Sequence, residues 1–307
     1  MEAIIKLTEI TKKFKDRVAV DQVSTVIEQG ELVAILGPNG AGKSTTIMMM
    51  LGLLEPSSGK VEVFQSHPKE KRVRSLIGAM LQEVSIIDAL TVKEVIQLFR
   101  SYYPAPMSFD ELVNLTGLEE KDLSKRAEKL SGGQKRRLSF ALALAGDPYL
   151  LFFDEPTVGM DTISRKRFWL TIQELNRRGK TIIFTTHYLQ EADDIAKRIL
   201  LFNEGKIIED GTPADIKRKL TVSSVSFVVN DLASLAWLKS LPYVTKVVEK
   251  DGRIYVETEQ TDEVLTALFA GEHKVRGIEI HRGRLDEAYE QLTRKDDLQD
   301  ESSIDAM

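Results

Sequence analysis

One short segment restricts the possible folds of this chain more than anything else in it. Gly37-Pro38-Asn39-Gly40-Ala41-Gly42-Lys43-Ser44-Thr45 follows an apolar run, Glu31 to Leu36, and leads into a helical stretch through Met48 to Met50. Glycines at this spacing let successive backbone N–H groups converge on an anion at a helix N-terminus, the arrangement of a P-loop. A glycine-rich turn that only caps a helix does not account for the strand before it. The loop therefore predicts an α/β domain in which a buried strand delivers it and a helix receives it.

The rest of the chain up to about residue 220 fits that expectation. Leu150 to Phe153 and Thr181 to Phe184 are unbroken apolar or β-branched runs, the composition of parallel strands covered on both faces. Between about Glu83 and Gly146 the strand signals stop and helix signals accumulate, including two capping-box patterns, Thr91 to Glu94 and Ser108 to Glu111. This span reads as a helical subdomain, 83–146, within a domain covering 1–220. Thr212 as N-cap and Pro213 at the first helical position open its last helix.

Residues 221–294 have a different order: strand (Val225 to Val229), helix (Leu232 to Leu241), strand (Val244 to Glu249), strand (Arg253 to Glu257), helix (Asp262 to Phe269) and strand (Val275 to His281). Asp251-Gly252 supplies the two positive-φ positions of a tight hairpin turn. The βαββαβ order predicts a small α+β, ferredoxin-like domain. A closing helix, Leu285 to Thr293, and an acidic tail over 295–307, expected to be disordered, complete the chain.

Charge and composition exclude several function classes. Residues 221–307 hold 17 acidic and 10 basic residues, against 30 and 32 in the part before them. A near-neutral first domain gives no case for nucleic-acid binding, which needs a basic excess or stripe. No apolar run approaches the roughly 18 residues of a membrane span, so no direct insertion into a bilayer is expected. The absence of cysteine excludes disulfides and thiolate metal sites and fits a cytosolic setting. Four histidines, at 67, 187, 273 and 281, show no metal-ligand spacing.

Chemistry concentrates in a few further positions. In the glycine-rich loop, Lys43 is placed to meet β- and γ-phosphates, Ser44 to ligate Mg²⁺ through its hydroxyl and Thr45 to add an α-phosphate contact. Asp154 and Glu155 end the apolar strand Leu150 to Phe153, at the carboxyl edge where α/β sheets bind ligands. Two acids after a strand are by themselves more often a solvated turn; beside a phosphate loop they suit a metal-shell residue, Asp154, and a water-polarising base, Glu155. Leu130-Ser131-Gly132-Gly133-Gln134 is a second glycine-rich entry into a helix, offering N–H groups and a hydroxyl to an anion.

Together these ordered motifs resemble the ATP-binding subunit of an ABC transporter, over essentially residues 2 to 220. The resemblance implies Gln82 as the Q-loop residue that contacts metal or water and couples to a membrane partner. It implies Gly159-Met160-Asp161 as the D-loop and His187 as the switch histidine at the γ-phosphate. Phe14 stands where the family usually has a tyrosine stacked on adenine. Leu81 replaces a frequent proline and Met160 a frequent leucine. Two such chains are expected to dimerise head to tail, so that Ser131 to Gln134 of one chain touch the γ-phosphate held by the P-loop of the other. The implied cofactors are ATP and Mg²⁺. The implied setting is a homodimer beneath a separately encoded integral membrane permease, at the cytoplasmic face of the plasma membrane. Leu285 to Leu292 resembles the C-terminal segment of bacterial ABC-2-type drug and lantibiotic export ATPases, although an amphipathic helix packed on its own domain fits the same residues. A soluble ABC ATPase with an assembly role, and a nucleotide sensor without turnover, are the alternatives; Glu155 argues against the second.

Overall fold

The strand that delivers the glycine-rich loop lies inside a six-stranded sheet. A computed structural model of the chain describes residues 2–82, 87, 89–220, 223–229, 237–270 and 275–281. It divides into two compact units, Met1–Thr212 and Pro213–Met307. The division falls before the helix opened by Pro213, whereas the sequence motifs put that helix in the first domain.

The first unit begins with β1 (Ala3–Phe14), β2 (Arg17–Glu28), β3 (Leu32–Leu36), α1 (Lys43–Met50), β4 (Ser58–Val63), α2 (Lys71–Arg74) and β5 (Ile77–Met80). Four helices follow with no strand between them: α3 (Val92–Ser101), α4 (Phe109–Thr116), α5 (Glu120–Leu123) and α6 (Gly132–Leu144). The chain then returns to the sheet through β6 (Leu150–Asp154), α7 (Thr162–Arg177), β7 (Thr181–Thr185), α8 (Leu189–Ile195), β8 (Arg198–Asn203) and β9 (Lys206–Gly211).

The large sheet has the order β5-β6-β7-β3-β8-β9, parallel except for β9 at its edge. Every residue of β3, β6 and β7 is buried, as expected of strands with apolar runs and covered faces. Register decides what meets at the carboxyl edge. Ile35 of β3 pairs with Thr185 of β7, and Thr185 pairs with Asp154 of β6. The residues that follow these three rows, the Gly37 loop, His187 and Glu155, therefore emerge side by side.

A second, antiparallel sheet, β2-β1-β4, was not assigned from the sequence. Its inward residues, among them Ile5, Leu7, Ile10, Val20 and Val63, join a core with Ile47 of α1 and Phe152 of β6. Phe14 pairs with Arg17 across the β1–β2 hairpin.

The helical span is organised by caps and aromatics. Thr91 forms a complete capping box with Glu94. Ser108 accepts the Glu111 N–H at 3.2 Å, but the Glu111 carboxylate takes Arg178 at 2.8 Å, so the second pattern closes on one side only. Phe140 of α6, Phe153 of β6 and Phe168 of α7 contact one another with ring centroids 4.8–5.6 Å apart, which seats α6 and α7 on the strand that ends in Asp154.

In the second unit, α9 (Pro213–Leu220) precedes β10 (Ser224–Val229), β11 (Lys246–Lys250), β12 (Arg253–Glu257), α10 (Thr261–Ala270) and β13 (Val275–His281). The antiparallel order β11-β12-β10-β13 is the strand order of a ferredoxin-like unit. Asp251 and Gly252 have φ of 54° and 73°, as their turn requires. Val225, Phe227, Ile254, Val256, Val264 and Leu268 form its core. Of the helix expected over Leu232 to Leu241, residues 237–241 are described and contain a short 3-10 turn, Leu238–Ser240; the expected helix Leu285 to Thr293 and the acidic tail lie outside the described residues. No helix among the described residues is long and apolar enough to cross a membrane.

Candidate functional site

The glycine-rich loop is built for close approach. A Cβ on Gly37 would lie 2.3 Å from the Phe202 carbonyl oxygen, and one on Gly42, at φ 99°, 2.4 Å from that of Ala19. Glycine at these points lets the loop pass close to the backbones of Phe202 and Ala19. Beside it lies a cavity of about 590 Å³, lined by Phe14, Arg17, Ala19, Asn39, Gly40, Gly42, Lys43, Ser44, Thr45, Gln82 and Glu155. This volume is ordinary for a small-molecule site.

Lys43 is buried, and its Nζ donates to the carbonyls of Gly37 and Pro38 at 2.8 Å each. Burial lowers its pKa, and the carboxylates of Glu155 and Asp154 oppose that fall. Arg136 of α6 has the same balance: burial pushes it down, and Glu155 and Asp154 hold it up. The Ser44 and Thr45 side chains border the cavity, with Thr46 behind them bonded back to Gly42.

Across the cavity, Thr185 ties the two carboxylate residues together. Its hydroxyl donates to Asp154 Oδ1 at 2.5 Å and accepts the Glu155 N–H at 2.9 Å. Glu155 has φ 48°, a backbone conformation that non-glycine residues adopt at a cost of about 1–3 kcal/mol, and this hydrogen bond helps to hold it there. The Glu155 carboxylate accepts from Gln82 Nε2 at 3.3 Å and lies 3.7 Å from His187 Nδ1. Gln82 and His187, from just beyond β5 and β7, thus both approach the Glu155 carboxylate just beyond β6.

The oxygen donors here suit Mg²⁺: a hydroxyl (Ser44), a carboxylate (Asp154) and an amide (Gln82) are hard ligands, and Mg²⁺ completes its shell with phosphate oxygens and water.

Ser131 to Gln134 and Asp161 do not line the cavity. Ser131 caps α6 in a capping box with Gln134, whose side-chain amide also donates to the buried Asp122. Asp161 caps α7 by accepting from Ile163 and Ser164. Phe14 is 47% exposed at the cavity mouth, with Lys12 Nζ 5.3 Å from its ring centroid. Residues missed from the sequence are Arg17, which reaches Gly40 O at 3.4 Å, and Thr185. The Thr185-Thr186-His187 run was a visible signal for the second, but its partner Asp154 is set only by strand order.

A family model described as ABC transporter matches residues 20–158. A probable multidrug ABC transporter ATP-binding protein of Escherichia coli is 39% identical over 224 residues, 70% of this chain and 38% of its own length. A linearmycin resistance ATP-binding protein of Bacillus subtilis is 32% identical over 279 residues, 87% of this chain and 89% of that one. Among solved structures, a dimeric ATP-binding cassette in a post-hydrolysis state with ADP and phosphate has a TM-score of 0.63 at 28% identity, over 68% of this chain and 98% of that one. With a phosphate loop, a paired carboxylate edge and the Bacillus subtilis relative matched over 89% of its length, the chain belongs to the ABC transporter family of ATP-binding proteins, with an α/β P-loop core.

Proposed function

We propose that this chain powers export through a separately encoded membrane permease, working as a head-to-tail homodimer on the cytoplasmic face of the membrane. The observation that carries the reading is the split of the motif residues. Asn39, Gly40, Gly42 to Thr45, Gln82 and Glu155 line one cavity, with His187 Nδ1 3.7 Å from the Glu155 carboxylate, whereas Ser131 to Gln134 and Asp161 do not line it. A second copy turned about a two-fold axis would bring its own Ser131 to Gln134 over that cavity, so each site would need both chains.

In this reading Lys43 and the loop N–H groups hold the phosphates, and Phe14 stacks on the adenine. Ser44, Asp154 and the Gln82 amide oxygen hold Mg²⁺, which when bound neutralises phosphate charge. Glu155 accepts a proton from the attacking water, while His187 donates to the γ-phosphate. Asp161 serves the contact between chains. Residues 1–220 act as the ATPase domain, with 83–146 meeting the permease; 221–294 act as an accessory domain. The relatives' names, multidrug transport and linearmycin resistance, favour export over an assembly role.

Ser131→Arg is expected to abolish hydrolysis while ATP binding by the monomer stays near wild type. Mixed with Lys43→Ala chains it should recover part of the activity, because one composite site in each mixed dimer contains neither substitution. Differently tagged pull-down establishes that mixed dimers form. Loss of ATP binding by the Ser131→Arg monomer would mean that this loop serves its own chain's pocket. For the export role, purification of the tagged chain from native membranes should yield a polytopic membrane protein in stoichiometric amount; recovery with only soluble partners would favour an assembly ATPase.

A further inference from the structure

A carboxylate that the site does not use lies directly behind it. Glu191, in the first turn of α8, is 7% exposed. A buried carboxylate must have its oxygens satisfied, and here the partners come from loops that carry the site. Oε1 accepts from the Thr157 hydroxyl at 2.8 Å and stands 3.5 Å from Arg165 Nε; Oε2 accepts from the Thr186 hydroxyl at 2.7 Å. Thr157 follows Glu155-Pro156, Thr186 precedes His187, and Arg165 belongs to the helix that Asp161 caps.

The same group reaches His187 by two routes. Thr186 Oγ1 also accepts the Tyr188 N–H at 3.0 Å, which shapes the backbone just after the histidine. The Arg165 guanidinium lies 4.4 Å from the Tyr188 ring centroid, and that ring packs on the His187 imidazole with centroids 4.1 Å apart. The His187 side chain is 49% exposed, so it has little packing of its own to fix its rotamer. Arg165 Nε is buried with no hydrogen-bond partner. Leaving an N–H so is costly, and what the residue gains there is its charge beside Glu191 and its plane on Tyr188.

We propose that Glu191, paired with Arg165, is a positioning residue for hydrolysis: it locks the His187 imidazole and the loop after Glu155 to the start of α7. The proposal rests on the reading of Glu155 and His187 given above. Glu191→Gln in the full chain keeps the shape and removes the charge. It should lower kcat about 10- to 100-fold, the scale expected when a catalytic group is slightly misplaced, and leave KM and directly measured ATP affinity within about twofold. Arg165→Lys keeps a cation but loses the planar group over Tyr188 and should give a smaller loss of the same kind, about threefold to tenfold; it carries the test alone if Glu191→Gln does not fold. A role confined to the fold would instead lower the unfolding temperature and reduce the rate equally in any background. Single-turnover hydrolysis therefore decides: in a His187→Ala background, Glu191→Gln or Arg165→Lys should add less than about a twofold further loss. A kcat within about twofold of wild type for the substitution tested, or its full loss repeated in the His187→Ala background, overturns the proposal and leaves the site reading intact. Wild-type turnover by His187→Ala or Glu155→Gln overturns the site reading and this proposal with it.

Discussion

Glu155→Gln should cut steady-state ATP turnover by about 10²- to 10⁴-fold, the usual contribution of a positioned general base. Its ATP affinity should stay near wild type. The substitution keeps the shape of the side chain and an acceptor for Gln82 Nε2, at 3.3 Å in the native site, and removes the charge facing His187. Binding and chemistry then separate: phosphates are held by the Gly37 to Thr45 loop on the other side of the cavity, and the defect falls on kcat. Because hydrolysis is the step that would reopen a closed dimer, the variant should also accumulate as an ATP-bound dimer. Size-exclusion chromatography with ATP, alongside a phosphate-release assay, measures both. Turnover within about tenfold of wild type would remove Glu155 from the role of catalytic carboxylate.

Lys43→Ala should show the complementary defect, in binding. Nζ lines the cavity beside Ser44 and Thr45, and it is held there by the Gly37 and Pro38 carbonyls. Removing it takes away a counter-charge in a partly dehydrated place and leaves two carbonyls without their donor. A hydrogen bond to a charged group contributes about 1.5–3 kcal/mol, so ATP should bind roughly 10- to 150-fold more weakly by calorimetry or fluorescent-nucleotide titration. Lys43→Met, which keeps most of the volume, should behave in the same way if charge rather than packing is responsible. Unchanged affinity in both variants would contradict the phosphate-loop assignment.

The residues around the cavity differ in how visible they were beforehand. Gly37 and Gly42 act through their own backbone, and Lys43 to Thr45 through their place at the start of α1, so their pattern is local and readable in one dimension. The unbroken burial of β3, β6 and β7 was equally plain, because strands covered on both faces carry apolar side chains throughout. The β2-β1-β4 sheet was less so. β1 carries register shifts against β2, which blur the two-residue alternation that marks a strand.

Other features depended on which strand lies beside which. Nothing near Thr185 announces that its hydroxyl will meet Asp154 and the Glu155 N–H. That follows from β7 lying between β3 and β6, in a register that pairs Thr185 with both Ile35 and Asp154. Nothing local marks Glu191 either; its burial comes from Thr157, Thr186 and Arg165, which the fold closes around it. By itself, the sequence determined the α/β class, the phosphate loop and the family resemblance, because these rest on glycine spacing and apolar runs that act over a few residues. Tertiary structure alone decided the Thr185 bridge and the Glu191 cluster, because sheet order and register bring together groups that are far apart along the chain.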